Sequence, residues 1–262
     1  MIDPAIRARI DQHVITAQAI LYRKISSSFF EIKSDWVRAY SALPLPAFNF
    51  FLPLTPKGLT DDTLADTAAF FRSREALYYI ELVHDRFPHG PTYLTRLDYE
   101  SLPPQLAMYL YPLPQESPIN REVSVERIAT VPSLTAFHIL LNSVFDFPIQ
   151  GLVKLFPVAQ LKDQAVQHYL AFLDEQPVGA GTLVFTDETA SIWNMCTIDK
   201  YRLRGVATTL LHHMVCDADK RNCDLMMLYS TAQAYQLYSK YGFEIYTQRQ
   251  WFLPPGLDYE DD

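Results

Sequence analysis

The chain has 262 residues, with 22 Lys plus Arg against 30 Asp plus Glu and a formal net charge of −8. Apolar residues are 49% and charged residues 20%, and mean hydropathy is −0.04; this composition excludes a disordered or fibrous chain. The acid excess argues against a general nucleic-acid binder, which carries a basic face. No apolar run approaches the ~20 residues of a membrane span, since the run Leu43 to Leu54 is interrupted by Pro44, Pro46 and Pro53.

Cysteine is sparse, with Cys196, Cys216 and Cys223 and no CxxC spacing. A chain of this length needs no disulfide staples, so a reducing cytosol is the expected compartment. Met1 to Arg9 contain Asp3, Arg7 and Arg9 and no apolar run, so no signal peptide is expected there. Neither a nucleic-acid nor a membrane partner is expected, and a monomer or a homodimer fits equally.

In chain order, Ile6, Ile10, Val14, Ala17 and Leu21 recur at helical spacing and predict a first helix. Phe48 to Leu54 predicts a strand. Thr60 caps a helix whose first turn holds Asp61 and Asp62 and whose apolar face is Leu64, Ala68 and Phe71. Leu77 to Val83 is a strand, Pro91 to Tyr99 a short helix, and Leu106 to Tyr111 a strand. Pro112-Leu113-Pro114-Gln115-Glu116-Ser117-Pro118 then reads as a stiff linker. It divides the chain into an expected first domain, 1–115, and a second, 119–262.

The second half opens with a predicted strand, Glu122 to Val131, and a helix striped by Leu134, Phe137, His138, Leu141 and Phe145. Val166 to Leu173 and Val178 to Phe185 make a hairpin through Asp174-Glu175-Gln176-Pro177. A strand Ala190 to Ile198 and a long helix from Gly205 to about Arg221 follow, the helix buried along Val206/Ala207, Leu210/Leu211, Met214/Val215 and Ala218. Leu225 to Tyr229 is continuously apolar, as a strand covered on both faces requires. A helix near Ala232 to Tyr241 and a strand Phe243 to Phe252 end the pattern. Both halves read strand, loop, helix, strand, helix, strand. This predicts two copies of one α+β unit.

Between the strand ending at Ile198 and the long helix stands Arg202-Leu203-Arg204-Gly205-Val206-Ala207, an R-x-x-G-x-A run. The first N–H groups of a helix have no intrahelical partner and, with the dipole, make an anion site. Gly205 lets the backbone approach a phosphate, Ala207 keeps the next turn thin, and Arg202 and Arg204 add charge at the mouth. A diphosphate is the natural guest. A second signature, Ala234-Tyr235-Gln236-Leu237-Tyr238-Ser239-Lys240-Tyr241-Gly242-Phe243, lies on the last helix and its exit into the last strand.

With these two runs in order, residues 121–253 resemble the GNAT superfamily of N-acetyltransferases. Arg202, Gly205 and Ala207 match the family's R/Q-x-x-G-x-G/A; Ala234, Tyr238, Gly242 and Phe243 match its A-x-x-x-Y-x-K-x-G-F. Met195 to Arg202 resembles the family's lead-in, with Asp199 where proline is common. Two departures stand out. Thr231 occupies a position often held by Asn, and the strand Ala190 to Ile198 carries no Glu to act as general base, having Trp193 and Asn194 instead.

The resemblance implies an α+β, tandem GNAT-like fold, each half a mixed, mostly antiparallel sheet flanked by helices. It implies acetyl-CoA as co-substrate, a primary amine of a small molecule or peptide as acceptor, and no metal. The pyrophosphate would rest on the N–H groups of Arg204, Gly205, Val206, Ala207 and Thr208. The pantetheine arm would pair with the strand edge near Met195 and Thr197. A backbone N–H near Met195 or Cys196 would stabilise the oxyanion, with Cys196 a lining residue rather than a nucleophile. Thr231 and Ala234 would stand at the donor side. Tyr238 alone reads as a core aromatic; the family pattern makes it the general acid that protonates the departing thiolate. His212 and His213 read as a solvated helix face rather than metal ligands, and His84 and His89 have no partner signature.

In the first half the equivalent loop is Thr55-Pro56-Lys57-Gly58-Leu59-Thr60-Asp61-Asp62. Its acids satisfy the helix dipole and would repel a phosphate, so this half is expected to be a degenerate copy that shapes the acceptor site or supports the catalytic half. Two other function classes remain open at this point: a non-catalytic CoA-binding or sensor protein, and a GNAT-like aminoacyl transferase, which the net charge disfavours.

Overall fold

Asp3 accepts a hydrogen bond from the Ala5 N–H at 2.7 Å, and Pro4 occupies the first helical position, so helix α1 runs Pro4–Tyr22. The computed structural model describes residues 2–114 and 119–256. Strands β1 (Phe29–Ile32) and β2 (Trp36–Tyr40) follow; both are short and neither shows a period in the sequence long enough to predict it. After β3 (Phe50–Pro53), Thr60 and Thr63 form a capping box that starts α2 (Asp61–Arg72). Strand β4 (Tyr79–Val83), helix α3 (Gly90–Arg96), the short β5 (Glu100–Ser101) and β6 (Gln105–Leu110) complete the first half. The last four residues of the expected linker, 115–118, lie outside the described residues.

Strand β7 (Ser124–Arg127) is shorter than the expected Glu122 to Val131. Thr130 and Ser133 build a second capping box, and with Pro132 in the first turn they turn the chain into α4 (Val131–Phe145). Helix α5 (Ile149–Leu155), which the sequence pattern missed, precedes β8 (Val166–Leu173) and β9 (Gln176–Thr186). The expected hairpin is tighter than drawn from sequence: Asp174 and Glu175 alone form the turn, with φ of 52° and 60°, as a two-residue hairpin requires. Strand β10 (Thr189–Thr197), helix α6 (Val206–Asp219), strand β11 (Leu225–Ser230), helix α7 (Tyr235–Tyr241) and strand β12 (Glu244–Leu253) follow.

Two compact units result, and neither is a continuous segment. One comprises Met1–Ile25 with Ala107–Tyr246, the other Ser26–Leu106 with Thr247–Asp262. The expected boundary at 115–119 therefore does not coincide with either unit's limits. The reason is where apolar faces find partners. In the first unit, Ile10 and Val14 of α1 pack on Leu225 and Met227 of β11. Arg9 adds an ion pair to Asp224, and His13 Nδ1 meets the Thr186 hydroxyl at 2.5 Å. The first helix in sequence thus serves the sheet built from the second half. Residues Ala107–Leu110 of β6 join that sheet beside β11, while Thr247–Leu253 of β12 serve the second unit.

The first unit's sheet runs β7-β8-β9-β10-β11-β6. Neighbours are antiparallel from β7 to β10, and β10 and β11 are parallel. Helix α6 lies close against β9 because Gly181 has no side chain there; a Cβ on it would stand 2.9 Å from Met214 Sδ. The buried face of α6 is Val206, Leu210, Leu211, Met214, Val215 and Ala218, as the periodicity predicts.

In the second unit β1, β2 and β3 are antiparallel neighbours, β3 and β4 are parallel, and β12 closes on β4 with Arg249↔Val83 through Phe252↔Ile80. Its core is Phe51, Phe71, Ile80, Leu82, Leu94 and Phe252. Glu81 and Arg249 form a buried ion pair at 3.3 Å, and Trp251 Nε1 donates to the same carboxylate at 3.0 Å; these bonds satisfy a carboxylate that burial alone would make costly. Strand–helix–strand–helix–strand recurs in both halves, as β3–α2–β4–α3–β6, with the two-residue β5 inserted before β6, and as β10–α6–β11–α7–β12. Among the described residues no helix is long and apolar enough to cross a membrane.

Candidate functional site

Strand β10 is irregular where the site residues lie. Its antiparallel register with β9 passes from Trp193↔Thr182 directly to Cys196↔Ala180, so Asn194 and Met195 together face one residue of β9. This is a β-bulge, and Asn194 takes φ 53° within it. Trp193, Asn194 and Met195 are half-buried in a strand whose other residues are buried. On its other side, β10 pairs with β11 only from Thr189↔Leu225 to Ile192↔Leu228. Beyond that rung the register ends although β10 continues through Thr197, so the backbone at Met195 to Thr197 offers a strand edge.

The loop that follows ends in an open helix start. Asp199–Tyr201 make a single 3-10 turn, and Leu203 takes φ 60° with its side chain in solvent. Gly205 is the N-cap of α6 with φ 78°, a left-handed conformation that favours glycine. Among the described residues no side chain caps this helix, and its first turn holds no acid, so the first-turn N–H groups at Val206, Ala207 and Thr208 remain available to an anion. Asn120 braces the corner: its Nδ2 donates to the Arg204 carbonyl at 2.9 Å, and its backbone N–H donates to Thr209 Oγ1 at 3.0 Å.

The two arginines of the loop differ in their engagements. Arg202 pairs with Asp199 at 2.7 Å, and the Arg204 guanidinium stands 5.7 Å from the Tyr201 ring centroid. Both remain accessible to a ligand at the mouth. The buried Thr197 hydroxyl, next to this loop in sequence, has no hydrogen-bond partner among the described residues.

Helix α7 starts at Tyr235, later than the predicted Ala232. Thr231 caps the turn ahead of the helix rather than the helix itself, its Oγ1 accepting from the Ala234 N–H at 3.3 Å. Gly242 ends α7 with φ 112°, and Phe243 packs edge-on against Tyr238 with centroids 5.8 Å apart. The structure brings Tyr238 and Cys196 together. Burial raises the Tyr238 phenol above the ordinary tyrosine value, and the charge of a neighbouring Cys196 thiolate would raise it further. Burial likewise pushes the Cys196 thiol up to about 12, against a backbone hydrogen bond at Ala180 and the charge of Arg202. Tyr238 therefore keeps its proton and Cys196 stays a thiol at neutral pH.

His212 is engaged by α7: its Nδ1 meets the Tyr241 hydroxyl at 3.0 Å. His213 Nε2 lies 3.8 Å from Asp217. Among the described residues no group of three or more His, Cys, Asp or Glu gathers as metal ligands do. Sequence reasoning had no signal for the Asn120 brace or the His212–Tyr241 bond, since both join residues far apart in the chain.

The corresponding loop in the first half is closed by its own protein groups. Asp35 accepts from the Leu54 and Thr55 N–H groups and from Thr55 Oγ1, and a Cβ on Gly58 would overlap the Asp35 carbonyl. Thr60 and Thr63 cap α2, and Asp61 and Asp62 fill its first turn. This helix start presents acid and a satisfied cap where α6 presents neither.

Residues 164–245 match the acetyltransferase (GNAT) domain, a span that includes the Arg202 to Thr208 loop and Tyr238. The curated protein YyaT of Bacillus subtilis (strain 168), itself uncharacterized, is 26% identical over 93 residues, 36% of this chain. The chain spans 62% of that relative's length. Among solved structures, a GCN5-related N-acetyltransferase from Kribbella flavida superposes with a TM-score of 0.71 at 16% identity, covering 93% of this chain and 95% of the other. A GCN5-related N-acetyltransferase from Sphaerobacter thermophilus gives 0.64 at 14%, covering 87% and 84%. A tandem GNAT protein from the clavulanic acid biosynthesis pathway gives 0.60 at 10%, covering 90% and 86%. Residues 164–245 thus match a GNAT acetyltransferase domain, and the chain as a whole has a tandem GNAT-like fold.

Proposed function

We propose that the second half transfers an acetyl group from acetyl-CoA to a primary amine of a small molecule or peptide. The observation that carries this reading is the uncapped, acid-free start of α6, which follows a strand whose pairing with β11 ends early. Pyrophosphate oxygens accept from the first N–H groups of α6. The pantetheine arm adds to the free edge of β10 near Met195 and Thr197. A backbone N–H at Met195 or Cys196 stabilises the tetrahedral oxyanion. The amine nitrogen attacks the thioester carbonyl, and on collapse the C–S bond breaks and the sulfur takes the Tyr238 proton. The tyrosinate is reprotonated by solvent, and the proton lost by the amine also passes to solvent.

The missing Glu on β10 supports a second reading, a protein that binds CoA without transferring acetyl. One experiment separates the two. Acetyl-CoA is incubated with amines, amino acids, polyamines and lysine peptides, and free CoA is followed with a thiol reagent. Amine-dependent CoA release establishes transfer. Calorimetric binding of CoA without release from any amine favours the second reading, and no binding removes both.

A further inference from the structure

We infer that Asn120 is a positioning residue for the donor diphosphate, a role that rests on acetyl-CoA being the donor. Asn120 lies at the entrance to the second half, 84 positions before the loop it touches. Three of its groups are committed at once. Its side-chain Nδ2 donates to the Arg204 carbonyl at 2.9 Å, its backbone N–H donates to Thr209 Oγ1 at 3.0 Å, and its Oδ1 accepts from the Glu122 N–H at 2.9 Å. The first two bonds straddle Gly205, holding the peptide before it and the helical turn after it. A Cβ on Gly205 would stand 2.9 Å from Asn120 Cβ, so the bare Gly205 backbone lies directly against the Asn120 side chain.

This arrangement sets the direction of the N–H groups that would receive the diphosphate. Gly205 sits in a left-handed conformation after Leu203, which is left-handed too. The carbonyl of Arg204, held by Asn120, fixes the rotation of the Arg204–Gly205 peptide, whose N–H belongs to the cradle. Without the Nδ2 donor that peptide is free to rotate, and the cradle must be ordered again at each binding event. Asn120 touches neither acceptor nor thioester in this scheme. It acts through the loop, on donor affinity and not on the chemical step.

The test uses the full chain with Asn120→Ala, and Asn120→Ser as a second variant that keeps a smaller donor should the first fail to fold. CoA affinity is measured by calorimetry, and turnover is measured with acetyl-CoA and with acetyl-pantetheine, which lacks the diphosphate. Loss of one such hydrogen bond predicts about tenfold weaker CoA binding and a similarly raised KM for acetyl-CoA. At saturating acetyl-CoA, kcat stays within about twofold. The kcat/KM for acetyl-pantetheine stays at the wild-type value, an outcome that general damage to the fold does not produce. Wild-type CoA affinity in both variants, or an equal loss with both donors, overturns the role of Asn120. Absence of CoA binding by the wild-type chain instead removes the donor reading itself.

Discussion

Ile192 and Leu228 face one another in the last rung of the parallel ladder between β10 and β11, and both strands run on beyond it. Where β10 runs on past its last rung with β11 it presents a backbone edge that water or a ligand can satisfy. Here the bulge at Asn194 and Met195 turns β10 at the same point. The candidate site therefore lies where sheet pairing ends, next to a helix start that no side chain caps among the described residues.

Tyr238→Phe removes a hydroxyl and keeps the ring against Phe243. If the phenol protonates the leaving thiolate, CoA affinity stays within a few fold while kcat falls by roughly 10²–10⁴. Because burial raises the Tyr238 value above that of free tyrosine, the acid form persists through neutral and mildly alkaline pH. No loss of rate from this group is expected there. A wild-type kcat in the Phe variant removes Tyr238 from the mechanism.

Thr208→Glu separates binding from stability. A carboxylate in the first turn of α6 favours the helix dipole by about 0.3–1 kcal/mol. The same charge repels a diphosphate bound at that turn. The variant is expected to melt at or above the wild-type temperature and to bind CoA at least tenfold more weakly, by about the 1.4 kcal/mol that tenfold represents. Unchanged CoA affinity in calorimetry refutes an anion cradle at this helix.

One CoA per chain is expected. The loop around Gly58 is closed by Asp35, and α2 carries its own capping box and two acids. Native mass spectrometry at saturating CoA should show a single equivalent, abolished together with binding at the α6 start. A second equivalent that survives Thr208→Glu contradicts a closed first-half loop.

Acid should weaken the fold through two buried histidines. His168 Nε2 lies 3.1 Å from Gln160 Oε1 and its Nδ1 2.8 Å from the Thr182 hydroxyl. Gln160 Oε1 only accepts, so Nε2 donates to it, and burial keeps the ring neutral. Burial lowers His168 to about 3 and His13 to about 4. The unfolded chain then binds more protons below pH ~6.5, so stability is complete above that value and declines as pH falls toward 4. Each histidine contributes a slope of about 1.4 kcal/mol per pH unit at most. Urea midpoints at a series of pH values should show this decline, and His168→Gln should flatten it. An unaltered slope in that variant counts against a neutral, buried His168.

Removing residues 1–25 should unfold the GNAT domain. Ile10 and Ala17 are completely buried, and α1 covers Leu225 and Met227. Burying a side chain of this kind contributes roughly 1.5–3 kcal/mol. A chain of residues 119–262 alone is therefore expected to aggregate or to lack protected amides in hydrogen exchange. A well-folded 119–262 fragment with CoA affinity would show that α1 is dispensable.

The elements that carry the family pattern were legible because their signals are local. The α6 stripe from Val206 to Ala218 repeats every three or four residues, Thr60 caps the helix directly after it, and Gly205 and Gly242 stand where the chain must turn left-handed. The Arg202 to Thr208 loop and Tyr238 could be singled out as candidates for the same reason: each lies within a run of ten residues or fewer. Strands β1 and β2 and helix α5 are four, five and seven residues long, too short for a period to emerge. Only the tertiary structure assigned α1 to the unit formed mainly by the second half, and most of β6 and β12 to units other than those their positions imply. An apolar stripe specifies that a face must be buried, not which of several apolar surfaces will bury it. The same holds for the bond from Asn120 to Arg204 and the rung at Ile192 and Leu228, which depend on distant segments meeting and leave no mark in the local sequence.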